Sequence, residues 1–332
     1  MERILRILNP ELLFSIISAI LLYTVNQADA QIKPTANLSG YVNMRYQYGD
    51  DVSSFDIRRA RVDLKGMLLK DFDYRLQVDF ASSPKILDVY VKWKFNKYFG
   101  LQVGQFKIPF SIENTRSPLT LETIENAQVI SKLSNYDDVA GIKSNGRDIG
   151  VMLSGEAVKL DDRNLIKYSI GLFNGSGINT VDKNKDKDIS GIVQIFPVKW
   201  LSFAGFAYSG KAYINSDNPY VNRYRYGAGV EYKNNSFHIR TEYIRGKTGD
   251  KKSEGAYCLG GYKITKSLEA LGRLDYFTND VTNSSKIQVY YLGGIDWHIN
   301  NHFRIQLNYT YKTFRGDACN TGMVATQLFA IL

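Results

Sequence analysis

From residue 38 onward the chain alternates apolar and polar positions with period two, and short polar turns break the pattern every eight to fourteen residues. In DFDYRLQVDFA, Phe72, Tyr74, Leu76, Val78 and Phe80 share one face, while Asp73, Arg75, Gln77 and Asp79 share the other. In HFRIQLNYTYK, Phe303, Ile305, Leu307, Tyr309 and Tyr311 alternate with Arg304, Gln306, Asn308, Thr310 and Lys312. Such alternation marks half-buried strands. Sixteen segments carry it: 38–48, 55–65, 72–81, 86–95, 99–107, 147–155, 165–174, 187–196, 200–209, 222–232, 236–245, 256–264, 268–277, 286–299, 302–312 and 322–332. Their usual length of nine to eleven residues is what a tilted strand needs to cross a bilayer.

The connections fall into two classes. Every second one is short, as in NKYFG, FPVKW, KNNS, TKS and Asn300-Asn301. The others are mostly longer, as in NGSGINTVDKNKDK, SGKAYINSDNPYVN, RGKTGDKKSEG and FRGDACNTG. Short turns at one end and longer loops at the other are the mark of a membrane barrel. The outstanding interruption is residues 108–146, third among the longer loops, and a stretch of that length inside a domain is usually functional. Pro84, Pro109, Pro118, Pro197 and Pro219 all fall in connections, where no ladder hydrogen bond is lost. Many of the 23 tyrosines, with Trp93, Trp200 and Trp297, sit near strand ends, as interfacial aromatic girdles do. The pattern predicts an all-β, sixteen-stranded antiparallel transmembrane barrel whose third outer loop folds inward. A tyrosine-rich secreted sandwich is the soluble alternative.

The first thirty residues read differently. Arg3 and Arg6 precede an apolar run from Leu12 to Val25 and then Ala28-Asp29-Ala30, a signal peptide with cleavage expected before Gln31. Fourteen apolar residues fall short of the ~20 that a spanning helix requires. Residues 31–332 are read as a single barrel domain, exported to the outer membrane of a Gram-negative cell. Loss of residues 1–30 moves the net charge from +9 to +10, because two arginines leave with Glu2, Glu11 and Asp29. A basic balance suits permeating anions or lipid phosphates, and export argues against nucleic acid. Cys258 and Cys319 are too few for a disulfide scaffold, and their pairing is left open.

Several ordered segments resemble the phosphate-selective porin O and P family. They are Phe55 to Val62 with Leu64 and Gly66, Tyr74 to Phe80, Asp88 to Val91, Val103 to Phe110, Arg147 to Val151 and Phe173 to Gly175. The run of arginines and GQFKIPF are the specific parts, and the matches thin out after about residue 200. The resemblance implies a trimeric sixteen-stranded channel for phosphate or related anions, narrowed by its third loop. Two features depart from the expected pattern. The chain ends QLFAIL instead of in phenylalanine, and residues 108–146 hold Glu113, Glu122, Glu125, Asp137 and Asp138 against Arg116, Lys132 and Lys143.

An anion pore needs fixed positive charge along its polar face, strong enough to replace hydration and spread enough to let the ion leave. Arginine binds two phosphate oxygens with its planar fork, and lysine acts as a point charge. In strand two, Arg59, Arg61 and Lys65 share the polar face with Asp63. Arg58 has the other parity and needs a bulge or a rim position to reach the pore. Strand five is ambiguous, since Leu101 and Val103 share parity with Gln105 and Lys107, and Gly100 and Gly104 permit a bend. Lys107 and Arg147 flank the roots of the long loop. The candidate anion-binding residues are therefore Arg58, Arg59, Arg61, Lys65, Asp88, Lys92, Lys107 and Arg147.

The same face assignment puts Arg59, Arg61, Lys65, Arg75, Lys92, Lys94, Arg223, Arg225, Arg240, Arg273, Arg304 and Lys312 in the lumen, twelve cations. Nine carboxylates oppose them: Asp63, Asp73, Asp79, Asp88, Glu231, Glu242, Glu269, Asp275 and Asp296. The excess is only three. The loop Asp182 to Asp188 resembles a calcium loop in spacing, yet it lacks the glycine and the closing glutamate. No nucleophile elbow, metal motif or phosphate-cradling loop is present, so neither catalysis nor a cofactor is expected. A general or differently selective pore uses the same scaffold. An adhesin barrel needs longer exposed loops than these. The expected partners are permeating anions, outer-membrane lipid and lipopolysaccharide, and further copies of the chain in a trimer.

Overall fold

The structure, a computed structural model, describes residues 33–49, 51–160, 163–182, 184–213, 220–316 and 318–332. The signal-peptide segment and its cleavage position lie outside them. Sixteen strands follow the sixteen alternating segments one to one. They are β1 (Asn37–Gly49), β2 (Val52–Leu69), β3 (Phe72–Asp79), β4 (Lys85–Asn96), β5 (Phe99–Lys107), β6 (Arg147–Leu160), β7 (Arg163–Phe173) and β8 (Asp188–Val198). The second half contains β9 (Leu201–Tyr213), β10 (Tyr220–Lys233), β11 (Phe237–Thr248), β12 (Lys251–Lys263), β13 (Leu268–Thr278), β14 (Ile287–His298), β15 (Phe303–Phe314) and β16 (Thr321–Ile331). Each strand pairs with its neighbours in sequence. β16 pairs antiparallel with β1, from Tyr41 opposite Ile331 to Gly49 opposite Met323, and closes the barrel.

The burial pattern is inverted relative to a soluble domain. Val62, Leu76, Leu274 and Leu307 are exposed on the outer face, whereas Arg61, Gln77, Asp275 and Gln306 on the other parity are buried. Burying the charged face and exposing the apolar one is stable only where the surroundings are themselves apolar. The tryptophans gather at one end: Trp93 and Trp297 near the ends of β4 and β14, and Trp200 in the β8–β9 turn. This is the end that carries the short connections, called the turn end below. The opposite end carries residues 108–146 and is called the loop end.

Two irregularities settle the ambiguous strands. The β1–β2 register slips between Asn43 and Met44, so Asn43 faces Arg59 and Met44 faces Ile57, leaving Arg58 as the extra residue of a β-bulge. In β5, Val103 is exposed on the outer face while Lys107, of the same parity, lines the interior. The change of face falls at Gly104, whose φ is +134°. A Cβ there would lie 2.1 Å from the Val89 carbonyl oxygen, so only glycine fits.

The connection expected across 245–255 is instead a two-residue turn, Gly249-Asp250, between β11 and β12. Gly249 takes the left-handed φ of +59° that tight hairpins require. Strand pairing thus continues through residues whose lysines and glutamate read as loop. Residues 279–286 between β13 and β14 form a loop-end connection, where the alternation also breaks between 277 and 286.

Candidate anion pathway

Residues 108–146 contain two short helices, α1 (Ile112–Thr115) and α2 (Gln128–Leu133), and a 3-10 turn at Pro118–Thr120. Each is held from a strand. The Glu242 carboxylate of β11 accepts from the backbone N–H of Ile112 at 2.7 Å and of Glu113 at 2.9 Å, capping α1. Asp275 of β13 accepts from the Gln128 N–H at 2.9 Å and caps α2. Between the helices, Arg304 of β15 donates to the Leu119 and Leu121 carbonyls at 2.6 Å each, and Asn308 accepts from the Ile124 N–H at 2.8 Å. Phe110, Ile112, Val129, Ile130 and Leu133 pack with Phe206, Ile244, Tyr257, Leu259 and Phe277 of β9 to β13 in one buried apolar cluster. The segment therefore lies against the faces of β9 to β15 opposite to the exposed apolar surface.

This packing engages the acids of the segment. Glu113 and Glu122 both receive Arg240, with Glu122 at 2.9 and 3.1 Å. Burial pushes the Glu122 carboxyl up, but Arg240 and then Arg116 outweigh it and bring it down to about 2. Asp138 takes a two-pronged contact from Arg225 at 2.6 Å on each side. Its burial is likewise outweighed, first by Arg225 and then by Arg223, so its carboxyl lies below the usual range. Glu125 binds Arg45 at 2.5 Å and Arg58 at 2.7 Å. Asp137 alone stays on the surface, beside Lys132 and Lys143. Four of the five acids thus neutralise wall arginines.

Two cavities remain beside the segment, one lined chiefly by β3 to β8 and the other by β2 to β6 together with β13 to β16. The first, of about 640 Å³, lies toward the turn end, and the second, of about 460 Å³, lies toward the loop end. Lys107, Pro118 and Arg147 line both. The turn-end cavity adds Arg75, Lys92, Lys94, Lys97 and Lys167, against Asp88 and Glu156. The loop-end cavity adds Arg58, Arg59, Arg61, Lys85, Lys132, Arg273 and Lys312, against Asp79, Glu125 and Asp137. Positive charge that looked nearly balanced around the barrel is in excess around both cavities, mostly from β2 to β7, with Arg273 and Lys312 added from β13 and β15.

Seven of the eight sequence candidates line these cavities. Lys65 does not: it is exposed near the turn end, opposite Asn37 and Arg75. Arg58, swung by its bulge, reaches Glu125, the Ile124 carbonyl and Gln327. Arg61 donates to Asp79 at 2.9 Å. Arg147 and Asp88 pair at 2.8 Å, and Lys107 donates to the Asn114 and Arg116 carbonyls, holding the end of α1. Arg59 and Lys92 make no hydrogen bond or ion pair among the described residues.

Sequence reasoning missed Lys85, Lys97, Lys132 and Lys167. Lys167 was readable, since Ile166 and Tyr168 place it on the polar face. The other three sit at strand ends or in the long segment, where alternation carries no signal. Within the calcium-like loop, Lys183 lies outside the described residues. Asp182 binds Lys187 and the Asn184 N–H, and Asp188 binds Arg223 at 2.7 Å. Both cysteines are free and exposed.

The backbone is similar to that of the anion-selective porin from Comamonas acidovorans. That protein is 12% identical over 90% of this chain and 100% of its own, with a TM-score of 0.72. OmpT, an outer membrane protein of Vibrio cholerae solved in a trimer form, is 11% identical over 91% of this chain and 100% of its own, with a TM-score of 0.68. The outer membrane channel DcaP of Acinetobacter baumannii is 13% identical over 92% and 99%, with a TM-score of 0.65. At such identities the similarity establishes the barrel fold. No curated protein matches the sequence. Residues 32–170, from β1 into β7 and through Arg59, Lys107 and Arg147, match the family model of the phosphate-selective porin O and P family, the one that the arginine run and GQFKIPF resemble.

Proposed function

We propose that the protein is an outer-membrane porin for passive diffusion of small anions, with phosphate the first substrate to test. The observation that carries this reading is the segregation of charge. The 108–146 segment takes up arginines of the far wall and leaves Arg59 and Lys92 without an ion pair along the near one, beside Lys107 on the segment's carbonyls and Arg147 on Asp88. Ions crossing between the cavities pass Lys107 and Arg147, where the segment narrows the lumen. Low-dielectric walls on both sides strengthen the attraction, and a line of spaced cations passes an anion along without trapping it. The loop-end cavity is lined by five arginines and four lysines and the turn-end cavity by two arginines and five lysines, so a two-pronged grip gives way to looser point charges. Delivery by a signal peptide ending at Ala30, association as a homotrimer and contact with lipopolysaccharide belong to the same proposal. The trimer form of the Vibrio relative supports the second of these.

The test is the reversal potential of single channels in a salt gradient, with phosphate titrated against chloride. Arg59→Gln/Lys92→Gln is the informative variant because it breaks no ion pair. Anion-selective current that low phosphate blocks, with block relieved in the variant, is the expected result. Current without ion preference reduces the protein to a general diffusion pore, and absence of current overturns the reading.

A further inference from the structure

The outer face of β11 and β12 changes character toward the loop end. Along β12 its positions are Lys252, Glu254, Ala256, Cys258 and Gly260, opposite Lys247, Arg245, Tyr243, Thr241 and Ile239 of β11 in register. Tyr243 on this face is exposed, whereas Glu242 and Tyr257 on the other parity are buried. Lys247 and Lys252 therefore stand directly opposite each other, about 5 Å apart at their Cβ atoms, and like charges so placed repel. Arg245 beside them has Glu254 at 3.7 Å, and Lys247 has the exposed Asp250 at 3.8 Å. The Lys252 ammonium has no partner among the described residues. At the β1–β2 loop end the outer positions are instead Tyr46, Tyr48, Ser53 and Phe55.

Below the cations the wall is hollowed. Ala256, Cys258 and Gly260 form a strip of small side chains along β12, with Tyr243 on one side and Tyr276 and Leu274 on the other. Gly260 continues in register into Gly272 and Gly293. Packing within the wall does not require these glycines. A Cβ at Gly260 or Gly293 would meet nothing within 4 Å, and one at Gly272 only the Leu292 carbonyl oxygen at 3.7 Å. Glycine weakens a strand, and it is a mark of close approach by something from outside the sheet.

We infer that this face holds a phosphorylated lipid of the outer leaflet, a lipid A molecule, with one phosphate between Lys247 and Lys252 and an acyl chain along Ala256, Cys258 and Gly260. The inference rests on the outer-membrane reading above and gives the lipopolysaccharide contact a place on the barrel. Charge and geometry agree on the occupant. Arg245, Lys247 and Lys252 outnumber Glu254 and Asp250, and a phosphate between the two lysines removes their repulsion. The strip from Ala256 to Gly260 is about 14 Å long, close to the half of a ~30 Å hydrocarbon core that one leaflet provides. The cations lie at the loop end of that strip, at the level of the headgroups. A free phosphate ion uses the cations alone, and a lipid uses the cations and the strip together.

The experiment uses the Cys319→Ser chain, which leaves Cys258 as the only thiol. The chain is refolded in detergent with lipid A, with dephosphorylated lipid A or with neither. Native mass spectrometry reads the lipid retained per chain, and the rate of Cys258 alkylation reads cover of the strip. The expected result is that lipid A is retained and slows alkylation, and that the dephosphorylated lipid does neither. Lys247→Gln/Lys252→Gln is expected to weaken retention about tenfold, and Gly260→Leu, which fills the hollow, to weaken it about threefold. Equal retention of the two lipids overturns the inference, as does retention unchanged in K247Q/K252Q or alkylation unaffected by retained lipid A. Chloride current in a pure phospholipid bilayer reports the pore separately. Where the inference fails and that current persists, the porin reading stands, and absence of the current removes the porin reading instead.

Discussion

Asp138 and Arg225 face each other through two parallel hydrogen bonds of 2.6 Å, one from each terminal nitrogen of the guanidinium. Both side chains are almost fully buried. Through them the last third of the long segment is fastened to β10. Asp138→Asn keeps the shape and removes the charge, leaving Arg225 desolvated and unpaired. Loss of one partner from a buried pair costs about 3 kcal/mol or more. The barrel strands do not depend on this contact, so the expected outcome is local: faster proteolysis within 134–146 and noisier open-channel current, with little change in the melting of the barrel.

Acid releases the same segment over a definite range. The Glu122 carboxyl lies below its ordinary value of 4.5, at about 2 in the folded protein. A depressed carboxylate stabilises the folded arrangement fully above the ordinary value, and that contribution is lost as pH falls through the folded one. Asp138 shifts in the same direction. Channel noise and protease resistance of the segment are therefore expected to stay constant from pH 7 to about 4.5 and to deteriorate between 4.5 and 2. Deterioration already complete by pH 5 contradicts this account.

Glu125 neutralises two cations at the loop-end cavity, Arg45 and Arg58. Glu125→Gln frees Arg58, while Arg45 keeps its ion pair with Asp56, and is expected to increase anion preference, read as a reversal potential displaced further toward the anion. One unit charge acting over ~8 Å in water amounts to about 0.5 kcal/mol, or roughly a twofold change in the permeability ratio.

Gly104→Ala tests the change of face in β5. The φ of +134° and the 2.1 Å approach to the Val89 carbonyl leave no room for a methyl group unless β4 and β5 separate. A loss of about 2–3 kcal/mol is expected, measured as a lower temperature for the folded-to-unfolded shift in electrophoretic mobility. Wild-type stability in this variant contradicts the face change.

The strands were legible because a barrel wall between lipid and water imposes alternation, which the segments kept apart from the bulge at Arg58 and the distortion of β5 at Gly104. Arg58 was legible as a conflict: its parity was wrong for the pore, and the register slip opposite Asn43 resolves that conflict. The role of the acids in 108–146 was not legible. Counted along the chain, Glu113, Glu122, Glu125 and Asp138 argue against an anion channel. Their effect depends on which arginines they meet, and Arg240 and Arg225 lie 118 and 87 residues away from Glu122 and Asp138 in sequence. Charge balance is a property of one surface in space, and composition averages over all of them. Lys65 was misplaced for a related reason, since alternation specifies a face but not a depth.

The pairing of Tyr41 with Ile331 has a kinetic meaning. Every other strand in the wall neighbours the strand made just before or after it, but the seam joins residues almost an entire chain length apart. Until that seam forms, β1 and β16 both present bare N–H and C=O groups, which an apolar medium does not tolerate and which in water invite pairing with other chains. A partly assembled wall is therefore stable in neither phase. Closure of the β1–β16 seam thus couples folding to insertion, since neither can finish before the last strand is made.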